Sequence, residues 1–166
     1  MIPVAPPVQN RVQSDIVAIV YRIDATQSGF WAEHSDVFPE ESASIFWARE
    51  RQFMQLAEAT RRAKAFEKGW DGYDAPAPND VSVTRTLTVL SRVRDSKLSP
   101  YSVLPSADGG VGISFRGIAN KRAVLELLND GTSSYVFYGK GHPIENSEFN
   151  LNTDLPRILQ RLEEYL

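Results

Sequence analysis

The hydrophobic period of this chain changes near Pro100, and that change restricts it to folds in which helices pack on an antiparallel sheet. Before Pro100, Phe46, Phe53, Leu56, Ala63, Phe66 and Trp70 recur at steps of seven, three, seven, three and four. This spacing predicts one apolar stripe along a long helix that continues to Gly69, a run of roughly 40 Å. Pro39 suits the first turn, Glu40 and Glu41 complement the positive helix end, and Arg61, Arg62, Lys64 and Lys68 complement the negative end. After the connector Ala75-Pro76-Ala77-Pro78, Asn79 or Asp80 can cap a second helix in which Val83, Leu87, Leu90 and Val93 follow helical spacing. Its β-branched residues argue against helix, but its length and its basic end favour one.

Beyond Pro100 the spacing falls to two. Val111, Ile113 and Phe115 share one face of a predicted strand, and Ala123, Leu125 and Leu127 share one face of the next. The turn signal Asn129-Asp130-Gly131 joins the latter to the aromatic strand "SYVFYG". A further strand at "SVLPSA" would precede these three, whereas "YGKGHP", residues 138–143, reads as a flexible exit from the last strand. Leu155, Ile158, Leu159, Leu162 and Leu166 then mark one face of a terminal helix. The expected class is α+β: a long and a shorter helix packed on a three- or four-stranded antiparallel sheet, with a C-terminal helix. Residues 39–166 are expected to form this domain. Residues 1–38 read as an extended arm with one strand over residues 15–24, able to reach another chain by strand addition.

Composition narrows the function classes. The balance of 18 basic against 21 acidic residues provides no global field for nucleic acid or an anionic membrane, so nucleic acid is not an expected partner, although local basic patches remain open. The chain has no cysteine, which excludes disulfides, thiolate metal sites and a thiol nucleophile. Its longest aliphatic run, residues 16–21, is too short to span a bilayer. The expectation is a cytoplasmic protein with no membrane association, no cofactor and no metal.

One stretch, "KGWDGYDAPAPND" at residues 68–80, concentrates glycine, proline, aspartate and aromatics. These residue types build turns, with Asp side chains bonding nearby amides and Trp70 and Tyr73 pinning the turn. They can also present Trp70 and Tyr73 to a partner. Together with "LPSADGGVGISFRG", "AVLELLNDG" and "YVFYGKG", this stretch resembles a group of small, largely uncharacterised bacterial and phage proteins. Their pattern is a Trp-Asp-Ser/Gly-Tyr-Gly-Ala turn, then an Asp-Gly-Gly strand and a strand closing on Asp-Gly. The resemblance covers roughly residues 69–141 and implies an antiparallel sheet behind two helices. Here Asp74 stands where the pattern usually has glycine, and Ser114-Phe115-Arg116 where Leu-Glu-Trp is common.

Several other sets compete for a role. Asp71, Asp74 and His142 would make a small hydrolase or nucleotide-processing enzyme if they converged in one pocket. His34, Ser35 and Asp36 hold the side chains of a hydrolase triad, but neighbours in sequence point apart. Arg61, Arg62, Lys64, Arg92 and Arg94 would bind nucleic acid if the ends of the two helices adjoined. Phe46 and Trp47 lie about 100° apart on a helix, so one is expected in the core with Trp47 at its margin. The preferred expectation is a non-enzymatic protein-interaction module of the immunity, antitoxin or anti-defence kind, inhibiting a partner protein through Ile16, Val20, Trp47, Trp70 and Tyr73. Pairing with a second copy of the chain is left open.

Overall fold

The structure, a computed structural model, describes residues 40–166, with side chains from Ser44 onward. The strand and arm expected within residues 1–38, with Ile16, Val20 and the set His34, Ser35 and Asp36, lie outside the described residues, as does Pro39.

Helix α1, Glu40–Arg62, buries Phe53, Leu56 and Thr60 along one face, and the stripe continues to Ala63 in a short 3-10 turn, Ala63–Ala65. The Thr60 hydroxyl is accommodated there because it donates to the Leu56 carbonyl at 2.8 Å. At about 35 Å, α1 is shorter than its stripe suggested. Phe66 leaves the helix with extended backbone (ψ 144°), so the helix does not reach Gly69. The physical reason is topological: α2, Asp80–Arg94, starts beside the end of α1, where Lys64 pairs with Asp80, and the chain must turn back to reach it. Arg94 at the other end of α2 pairs with Glu50, so the two helices run antiparallel.

Asn79 caps α2 through a reciprocal box: its side chain accepts from the Ser82 N–H, and its own N–H bonds the Ser82 hydroxyl. The buried face holds Val83, Thr86, Val89, Leu90 and Val93, while Leu87 sits at its margin. Helix formation therefore prevails over the β-branched composition because these branched residues fill the core face.

Among the described residues the sheet has five strands, β1 Pro100–Pro105, β2 Gly110–Arg116, β3 Arg122–Leu128, β4 Ser133–Gly139 and β5 His142–Glu148, in sequential antiparallel order. This corrects the expected three or four. Residues 138–143 are no flexible exit: Lys140 and Gly141, both at positive φ (52° and 85°), form a two-residue hairpin into β5. Strand β5 escapes sequence reading because "HPIENSE" is an exposed edge carrying proline and charge, without apolar alternation.

Alternation in β2, β3 and β4 turns Val111, Ile113, Phe115, Ala123, Leu125, Leu127, Tyr135 and Phe137 to one buried face. Helix α1 lies against β1, and α2 against β2 and β3. Helix α3, Leu155–Tyr165, closes the β4 side: Tyr165 stacks on Phe137 at 4.7 Å and donates to the Tyr138 carbonyl at 2.8 Å. All three helices cover one face, and no described helix packs on the other. Among the described residues, no helix is long and apolar enough to cross a membrane.

Candidate functional site

The sheet has two ends of contrasting chemistry. At the first, which we call the junction, residues 68–80 meet the β1–β2 and β3–β4 turns. Asp71 accepts from the Tyr73 N–H at 2.9 Å and the Ala75 N–H at 3.2 Å, and the Gly69 N–H closes the loop on the Ala75 carbonyl. These amides, Tyr73 first, hold the Asp71 carboxyl below the ordinary aspartate range. Gly69 has φ 81°, so it supplies the left-handed backbone of this loop rather than a helix cap.

Asn129 ties the junction together. Its Oδ1 accepts from the Asn79 N–H and the Ser82 hydroxyl, both at 2.9 Å, and its Nδ2 donates to the Ala77 carbonyl at 2.8 Å. Its backbone N–H donates to the Gly109 carbonyl, and its carbonyl accepts from Asn79 Nδ2. Strand β2 enters so closely that a Cβ at Gly110 (φ 135°) would lie 2.4 Å from the Leu127 carbonyl oxygen. Through Ala77 and Asn79, the connector after the turn, the Asp-Gly-Gly strand and the Asn-Asp-Gly hairpin are thus one hydrogen-bonded brace, while Asp71 closes the turn itself. Trp70 is half-buried, edge-on to Phe66 at 5.6 Å, with its Nε1 shielded and without an acceptor among the described residues. Tyr73 is 82% exposed.

At the far end lies the start of α1. Ile45, Phe46 and Trp47 are all exposed, Phe46 by 53% and Trp47 by 58%. Phe46 does not enter the core as expected. Just beyond these three residues, the Arg49 guanidinium bonds the carbonyls of Arg94, Ser96 and Leu98 and ties α1 to the segment that follows α2. About 22 Å of helix separates Trp47 from the end of α1, and Trp47 is not brought together with Trp70 and Tyr73.

The hydrolase set does not converge. Asp71 and Asp74 belong to the junction, with Asp74 paired to Lys68 at 3.0 Å, while His142 opens β5 at the far end, about 20 Å away along a seven-residue strand. Among the described residues, no group of three or more His, Asp or Glu can hold a metal. The basic set fails in the same way. Arg61 and Arg62 pair with Glu58, Lys64 with Asp80 and Arg94 with Glu50, and the antiparallel helices place Arg92 and Arg94 at the opposite end from Arg61 and Arg62. A polar cleft of about 520 Å³ between Arg85, Ser133, Asn150 and Asp154 lacks the mainly apolar lining of a small-molecule site.

Sequence reading passed over a further group. Arg116 and Arg122 face each other directly across β2 and β3, and Arg122 faces Tyr138 across β3 and β4. The Arg116 guanidinium lies 3.6 Å from the centre of the Tyr101 ring, and that of Arg122 lies 5.6 Å from the Tyr138 ring. The available signal was the pair of arginines flanking the five-residue connection 117–121. No family model, no curated protein and no solved structure matches this chain.

Proposed function

We propose that this protein is a non-enzymatic protein-interaction module whose bound surface centres on the start of α1. One observation carries the reading: Ile45, Phe46 and Trp47 are consecutive large apolar residues on α1, each more than half exposed. Aromatic anchors of this kind dominate the energetics of protein interfaces. The separation of Asp71 and Asp74 from His142 adds support, since the competing reading needed these three side chains in one pocket. Tyr73 offers a second exposed aromatic, whereas Trp70 belongs to the turn. The role is inhibitory binding of a partner protein in the cytoplasm, of the immunity, antitoxin or anti-defence kind.

The test is capture of the tagged full-length chain from its native host, with and without phage infection, alongside a Phe46→Gln/Trp47→Gln variant. A near-equimolar partner, recovered at least about tenfold less with the variant, is the expected result, that loss being about 1.4 kcal/mol of binding. The variant should unfold within about 0.5 kcal/mol of the parent, because neither ring is buried. Undiminished recovery with the variant, or no partner with the parent, overturns the proposal.

A further inference from the structure

We propose that the sheet face opposite the helices, at its far end, binds single-stranded nucleic acid through Tyr101, Arg116, Arg122 and Tyr138. Their placement follows from register. Phe115, Ala123 and Phe137 point into the core, so their neighbours Arg116, Arg122 and Tyr138 project from the other face. Tyr101, at the irregularity of β1, joins them by lying under the Arg116 guanidinium. The four side chains form a row across four strands, about 14 Å long at the usual strand spacing.

Two like charges stand directly opposite each other in this row. Like charges directly opposite each other on a sheet repel. Neither Arg116 nor Arg122 has a carboxylate within ion-pair distance among the described residues, whereas Arg61, Lys64, Lys68, Arg94 and Arg161 each have one. The nearest residues inward on the same face are Ser102, Ser114, Val124 and Val136, which carry no charge. On β3 the next acid of that face is Glu126, about 13 Å from Arg122 along the strand. Exposed Lys140, in the β4–β5 hairpin, adds a cation at the same end.

Two adjacent guanidinium groups suit phosphate, which they engage with paired N–H donors. The tyrosines at the two ends of the row add flat π-faces for unpaired bases. This combination favours a single strand over a duplex, whose bases are already stacked and whose grooves call for an inserted element. An acidic protein segment added as a strand would need a sheet edge, and this row crosses the strands instead. Net charge alone missed the site because the basic groups are concentrated locally on a chain of net charge -3.

Fluorescence anisotropy of fluorescein-labelled oligothymidylate and oligouridylate, about ten nucleotides long, tests the assignment from about 50 mM salt upward. Saturable binding that weakens with salt is expected. The Arg116→Ala/Arg122→Ala variant should bind at least about tenfold more weakly, with a salt slope smaller by about 1.4 for two lost phosphate contacts. Tyr101→Ala and Tyr138→Ala should each weaken binding about fivefold or more, within the range measured for base stacking. Phe46→Gln/Trp47→Gln should bind like the parent, so this test and that of the partner surface fail separately. The proposal is overturned by absence of binding, by equal binding of a folded double-arginine variant, or by equal competition from a duplex or polyglutamate.

Discussion

The two ends of the sheet are both rich in polar and aromatic residues, yet they use them in opposite ways. At the junction, Asp71, Asn79, Ser82 and Asn129 all bond groups of this chain, and the backbone passes so closely that Gly110 has no space for a Cβ. At the far end, Arg116 and Arg122 meet each other and two tyrosine rings, while Phe46 and Trp47 near the start of α1 are more than half exposed. A polar group whose partners lie within the fold stabilises it, and replacing such a group leaves buried donors or acceptors unmatched. An exposed side chain without hydrogen-bonded partners adds little to stability. The stretch with the most motif-like sequence is thus bonded within the fold, while residues of ordinary appearance stand at the surface.

Substitutions can break this contrast, beginning where the largest effect is expected. Gly110→Ala should destabilise the fold by at least about 3 kcal/mol, since it combines a strained backbone conformation with contact against the backbone of β3. Urea unfolding measures it, and a loss below about 1 kcal/mol would show that the β2–β3 approach is easily relaxed. Asn129→Ala should cost roughly 2–3 kcal/mol by the same measurement, because three side-chain bonds disappear and the Ala77 carbonyl and Asn79 N–H lose this partner.

Asp71 sharpens the comparison through pH. Its native pKa is depressed, so its contribution is present above the ordinary aspartate range and is lost as pH falls through the native value. Asp71→Asn keeps an acceptor oxygen but does not titrate. Thermal unfolding from neutral pH into acid should show the parent losing its advantage over the variant, and parallel curves would remove Asp71 from the brace. The smallest effect is expected at the far end. Arg122→Thr should leave unfolding unchanged or raise stability by a few tenths of a kcal/mol, because it ends a like-charge opposition. A loss above about 1 kcal/mol would show that the arginine row supports the fold.

Much of the fold was legible because hydrophobic spacing acts locally. The period of two in β2 and β3 and the helical spacing in α2 and α3 each bury the expected core residues, with Val89 replacing Leu87 at the centre of α2. Reading failed where spacing carried no information. Strand β5 is exposed and, among the described residues, paired only on one side, and α1 ends early because its route back to α2 overrides its apolar stripe. The candidate site was less legible still: Trp47 stands exposed, but its neighbour Phe46 is exposed too, which only the tertiary structure could reveal.

The sequence by itself determined the α+β class, a cap at Asn79 or Asp80, the Asn129-Asp130-Gly131 turn and most of the buried face, since each depends on residues near one another in the chain. Only the tertiary structure decided that three turn motifs form one brace. It also decided that Asp71 and His142 lie at opposite ends, and that Arg116 and Arg122 stand side by side between Tyr101 and Tyr138. The physical reason is that strand register and helix direction bring together residues from separate segments, and local sequence spacing does not contain those relations.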